Sequence, residues 1–105
     1  MSQCLIYMTA PNDAEASEIA RVLVEERLAA CVNIIPGMRS IYRWQGEIHD
    51  DAEIVLIAKT RRDLVPALTD KIRDMHSNDC PCVVSIPIDG GNPDFLDWID
   101  GQTTI

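Results

Sequence analysis

The chain has 105 residues, with 17 Asp and Glu against 9 Lys and Arg, and a formal net charge of -8. One domain is all that this length holds. So acidic a balance excludes the backbone of nucleic acid or an anionic membrane surface as the main partner, since both need a basic patch.

Hydrophobic residues make up 47% and charged residues 25%, the proportions of a folded domain. Only two Trp, two Tyr and one Phe are aromatic, which leaves the core to Ile, Val, Leu and Ala. No run approaches the roughly 18 apolar residues of a membrane span, and the first residues lack the basic-then-apolar order of a signal peptide. The expectation is one acidic cytoplasmic domain over residues 1–105.

Gln3 to Thr9 is a short apolar run ending at Ala10-Pro11-Asn12, a buried strand followed by a turn. Asn12 or Asp13 caps a helix expected to run through Leu28. Ala16, Ile19, Ala20 and Leu23 face the core at three- and four-residue spacing, and Arg27 lies in the last turn. From Cys31 to Thr60 the pattern is extended. Pro36-Gly37 marks a bend, and Ser40, Tyr42 and Trp44 alternate with Ile41 and Arg43 on opposite faces. Gln45-Gly46-Glu47 is a turn with Gly supplying the positive backbone angle. The return strand ends in Ile54–Ala58, apolar on both faces.

Asp63 is the expected cap of a second helix, with Pro66 in its first turn and Leu64, Leu68, Ile72 and Met75 as its core stripe. Asp79-Cys80-Pro81 breaks it, and Cys82 to Ile88 reads as a last strand. Asn92-Pro93 then opens a short helix carrying Phe95, Leu96, Trp98 and Ile99. The order β-α-β-β-α-β plus a terminal helix predicts an α+β, ferredoxin-like arrangement with two helices on one face of an antiparallel sheet. A continuous strand from Val32 to Trp44 would span roughly 40 Å, against a radius of gyration of about 13 Å for so small a domain. The hairpin must project, which predicts a homo-oligomer that covers it.

Cys4, Cys31, Cys80 and Cys82 are even in number, as two disulfides require. A reducing cytoplasm favours free thiols instead. Cys4, Cys31 and Cys82 also sit in apolar runs, where a thiol behaves as a small buried hydrophobe.

Glu26–Asn33, Pro36-Gly37 and Ser40-Ile41-Tyr42-Arg43-Trp44-Gln45-Gly46 together closely resemble the CutA divalent-cation tolerance family. Glu53, Lys59-Thr60, His76, Pro81, Phe95 and Trp98 extend the likeness in order from about residue 4 to residue 100. The resemblance implies a ferredoxin-like homotrimer, similar in architecture to PII signalling proteins, with hairpins clasping neighbouring subunits. It implies a cytoplasmic role in tolerance of divalent metals, with copper binding proposed. The lack of a catalytic constellation makes the expectation a non-enzymatic protein, with copper or another divalent metal as its candidate ligand. The copper positions proposed for the family fall here on Met8, in place of a Cys, and on Met75 and His76, in place of a His pair. Asn78 and Cys82 stand where family members often carry Tyr and an acidic residue.

Two constellations carry candidate chemistry. Met8, Met75, His76, Cys80 and Cys82 offer soft sulfur and imidazole, suited to Cu(I) or, through the imidazole, to Cu(II) or zinc. The competing reading makes the methionines core fillers. Tyr42, Trp44, Lys59, His76 and Trp98 gather, by the resemblance, around a cleft near a subunit boundary. Aromatic walls with one cation and one imidazole suit a small anionic or planar ligand; the competing reading makes Tyr42 and Trp44 interface anchors. His49, Asp50, Asp51 and Glu53 read as a solvated hairpin tip, and Asp89-Gly90-Gly91 as a turn. Nothing resembles a catalytic triad. A PII-like sensor binding a metabolite between subunits is the rival function, and an enzyme using His76 and Lys59 the third.

Overall fold

The structure is a computed structural model, and residues 2–103 are described. Strand β1 (Gln3–Ala10) is followed by helix α1 (Asp13–Glu25), then the long strands β2 (Cys31–Trp44) and β3 (Glu47–Arg61). Helix α2 (Val65–Met75), strand β4 (Val83–Pro87) and helix α3 (Pro93–Gln102) complete the chain. The four strands form one sheet in the order β2-β3-β1-β4, with every neighbouring pair antiparallel.

Alternation along the strands sorts their side chains between two faces. Cys4, Ile6, Met8 and Ala10 from β1 join Leu56 and Ala58 from β3 on the face covered by helices. There they meet Ala16, Ile19, Ala20 and Leu23 of α1 and Leu68 and Ile72 of α2, in one core. The opposite face carries Leu5, Tyr7 and Thr9 of β1 beside Lys59, Ile57 and Val55 of β3. Ile86 and Val84 of β4 extend the same row. Within one chain that face is open: Ile35, Val84 and Ile86 are each about half exposed, at 47%, 51% and 48%.

Local chemistry explains the element ends. Asn12 Oδ1 accepts the Glu15 backbone N–H at 2.8 Å, an N-cap supported by Asp13 and Glu15 in the positive first turn of α1. The helix stops three residues earlier than the spacing of its apolar positions suggests, because Arg27 takes a left-handed φ of 58°. Its N–H bonds the Val24 carbonyl, and the Leu28 N–H bonds the Leu23 carbonyl. These are the paired bonds of a Schellman stop. Arg27 therefore lies beyond α1 and donates Nη1 to the Gln102 carbonyl.

Pro36 and Gly37 (φ 81°) make a bulge in β2 between Ile35 and Met38. An edge strand tolerates it because no neighbour needs the missing N–H. Gln45 (φ 49°) and Gly46 (φ 81°) are both left-handed, giving the two-residue I′ turn whose twist matches the flanking strands. The sequence had assigned that role to Gly alone. The hairpin stretches the molecule to 44 × 25 × 22 Å, with a radius of gyration of 14.1 Å.

Asp63 does not cap α2. It lies inside a 3-10 turn, Arg62–Leu64, that leads into the helix, and its carboxylate is 3.6 Å from Arg61. Cys82 and Ile88 fall just outside β4. Cys82 is exposed and not the buried hydrophobe expected from its apolar flank; all four cysteines are free thiols. α3 starts as expected, with Asn92 Oδ1 accepting the Asp94 N–H, and it buries Ile99.

Candidate functional site

The open sheet face ends in a cavity of about 560 Å³ where β1 finishes and the β2–β3 hairpin leaves the domain. Tyr7 and Thr9 form its floor, because odd positions of β1 face away from the helices. Ser40, Tyr42 and Trp44 line one wall from β2, and Glu53 enters from β3. The bulge brings Met38 opposite Glu53, after which Ser40 pairs with Asp51 and Tyr42 with His49. The other wall is the irregular chain after α2, through Ser77, Asn78, Asp79 and Cys80, then Cys82.

That wall is held from behind by His76. Its side chain is 1% exposed. The Asn78 backbone N–H donates to Nδ1 at 3.0 Å, and Nε2 stands 2.8 Å from the Thr9 carbonyl. A nitrogen that accepts from an amide carries no proton, so Nε2–H is the donor to Thr9. Glu15 completes the brace, accepting the Ser77 N–H at 3.1 Å. Burial works to raise the Glu15 carboxyl, but hydrogen bonds from the backbone and side chain of Ser77 outweigh it and hold the carboxyl below its ordinary value.

On the opposite wall, Tyr42 donates its hydroxyl to Asp51 at 2.6 Å and stacks on His49 with ring centres 5.1 Å apart. The Asp51 hydrogen bond, then burial and the charges of Asp51 and Glu53, raise the phenol's pKa, so it stays protonated. Asp50 points the other way and grips the Arg39 guanidinium through two bonds, at 2.7 and 2.5 Å. Burial, reinforced by Glu53, pushes the Cys82 thiol up.

Of the five residues expected at a ligand cleft, one chain brings Tyr42 and Trp44 to the cavity. Lys59 lies six residues along β3 from Glu53, about 20 Å away, where it bonds the Asn33 side chain. His76 is behind the wall, and Trp98 stacks on Phe95 on α3, with ring centres 5.3 Å apart. Of the five expected metal ligands, Cys80 and Cys82 reach the cavity. Met8 is 2% exposed on the helix-covered face, and Met75 packs against the core. Among the described residues no three His, Cys, Asp or Glu side chains form a metal cage. Sequence reasoning missed Tyr7, Thr9, Ser77 and Asp79 as lining residues. It left Glu53 with the hairpin tip, although the alternation His49, Asp51, Glu53 puts it on the Tyr42 face. Among the described residues no basic side chain lines the cavity, whereas Glu53 and Asp79 do.

Residues 4–102 match the profile of the family described as CutA1 divalent ion tolerance protein. The chain belongs to this family. It is 46% identical over 99 residues to the divalent-cation tolerance protein CutA of Thermus thermophilus, covering 94% of this chain and 96% of that one. It is 47% identical over 97 residues to protein CutA of Mus musculus, covering 92% of this chain but 55% of the mouse protein. This chain thus spans little more than half of that relative. The crystal structure of CutA1 from Oryza sativa superposes with a TM-score of 0.96 at 41% identity, covering 99% of this chain and 95% of the other. The α+β fold with its four-stranded antiparallel sheet is thus one shared with CutA1 structures.

Proposed function

We propose that the chain acts in tolerance of metal ions as a cytoplasmic, non-catalytic homotrimer of ferredoxin-like, PII-like subunits, binding copper or another divalent metal in its cavity. The observation that carries this reading is the lining of that cavity, which among the described residues has two carboxylates, two thiols and no basic side chain. Such a lining attracts cations and repels the small anionic ligand that Lys59 and His76 had suggested. The net charge of -8 enriches cations around the whole surface in the same sense.

The trimer is supported by what one chain leaves uncovered. Ile41 and Ile48 on the hairpin are 67% and 62% exposed, and the sheet face bearing Ile35, Val84 and Ile86 is open. Apolar surface on that scale marks association in a small domain. The strand order β4-β1-β3-β2 with α1 and α2 on one face supports the ferredoxin-like subunit. No described helix is long and apolar enough to cross a membrane, and the acidic surface favours neither lipid nor nucleic acid.

A thermal-shift screen of divalent metals, nucleotides and small anions tests the reading, with light scattering for the mass. The expected result is a trimer stabilised by metal ions. Stabilisation by a nucleotide or carboxylate and by no metal would instead establish the sensor reading, and a folded monomer would remove the assembly.

A further inference from the structure

We propose that Cys80 and Cys82 form a two-thiolate site for a soft monovalent d10 cation, Cu(I) or its redox-inert counterpart Ag(I). This rests on the metal-ion reading above and names the ligands and the class of ion. Pro81 fixes its own φ and disfavours a helical conformation at Cys80, where the chain bends. Both cysteine side chains line the one cavity, and both are exposed free thiols. Cys4 is buried in the core and Cys31 lies outside the cavity lining, so the pair is distinct from the other two thiols.

Ligand count selects the ion. Tetrahedral zinc needs three or four protein ligands, and among the described residues no such cage exists. A monovalent d10 ion is satisfied by two sulfurs, and thiolate is the ligand that selects it. Each thiol gives its proton to solvent as its sulfur takes the metal, with no change in oxidation state. The rings of Tyr7, Tyr42 and Trp44 line the same cavity.

The test is titration of the reduced, full chain with Ag(I), and with Cu(I) under nitrogen against a competing chelator. One tight equivalent per chain is expected. The Cys80→Ser/Cys82→Ser variant should lose at least about 100-fold in affinity, the upper end of what even outer-shell changes cost a metal site. Cys4→Ser/Cys31→Ser should keep the wild-type value. Both exposed cysteines lie outside regular structure, so an unchanged melting curve for the first variant confirms that it is folded. Wild-type affinity in that variant, loss of binding in the Cys4/Cys31 variant instead, or displacement of Ag(I) by equimolar zinc would each overturn the site. Divalent-ion thermal shifts that persist while soft-ion binding fails would remove the dithiol site and leave the metal-ion function. No stabilisation by any ion, hard or soft, would remove both.

Discussion

His76 Nε2 stands 2.8 Å from the carbonyl oxygen of Thr9, tying the end of α2 to the end of β1 directly beneath the cavity. The same ring accepts the Asn78 N–H, so one side chain satisfies two backbone groups. His76→Ala would remove both bonds, leave the Thr9 carbonyl short of its donor and open a small void. The expected loss is about 2–4 kcal/mol, measured as a shift in urea midpoint. Faster hydrogen exchange at Asn78 should accompany it, because this amide loses its acceptor.

Glu15 gives that brace a pH dependence. Its carboxyl is held below the ordinary value of 4.5 in the folded chain. A depressed carboxylate contributes stability above its unfolded pKa and loses it as pH falls through the folded one. Unfolding free energy should therefore fall as the pH drops below about 4.5. Glu15→Gln should be less stable than wild type at pH 7 and should show a flatter acid limb. Parallel limbs for the two proteins would show that Glu15 is not the group responsible.

Arg27 sits at φ 58° to end α1, a conformation that costs an L-residue with a side chain roughly 1 kcal/mol. Its bond to the Gln102 carbonyl is exposed and offsets little of that cost. Arg27→Gly should stabilise the protein by about 0.5–1 kcal/mol. Arg27→Val, β-branched at the same backbone angle, should destabilise it. Melting temperatures of the two variants, moving in opposite directions, check the assignment.

At the hairpin tip, Gly46 has φ 81° and open space where a Cβ would stand. Gly46→Ala therefore reports backbone strain alone, at about 1 kcal/mol. Gln45→Asn places the residue favoured in I′ turns at the other left-handed position and should gain a few tenths of that amount. Equilibrium unfolding of both variants measures the two effects.

These backbone features also mark what a linear pattern conveys. The caps at Asn12 and Asn92 and the stripe from Ala16 to Leu23 are local, decided within a few neighbouring residues, and the structure has them where the spacing puts them. The stop at Arg27 is local too, but it uses an arginine in a position that normally announces itself by glycine. The cavity is a different matter. Tyr7, Glu53 and Cys80 meet only through strand register, and the bulge at Pro36-Gly37 shifts that register in β2. The acidic run illustrates the loss. Asp50 goes to Arg39 on one face, Asp51 to Tyr42 on the other, and Glu53 to the cavity, although in sequence they look like one solvated tip. Lys59 faces the same way as Glu53 and still lies far from it. Same-face alternation is therefore necessary for a shared site and not sufficient.

Met8 separates packing from metal binding most directly. The family resemblance put it where a copper-binding cysteine has been proposed, and its thioether is a plausible soft ligand on composition alone. In the fold it is an even-numbered position of β1, pairs with Leu56 and Val83, and is 2% exposed among core side chains. Reaching the cavity would require the side chain to cross the sheet. Met8→Leu keeps the volume and apolar character while removing the sulfur, so it should cost under about 1.5 kcal/mol in unfolding free energy. Soft-ion affinity, measured by the same chelator competition, should be unchanged. Met8→Ala should cost about 2–5 kcal/mol through the cavity it leaves, again with no specific effect on metal at temperatures where it stays folded. A Met8→Leu protein of normal stability that had lost its metal would place the ion on the helix side of the sheet, against the position of Cys80 and Cys82.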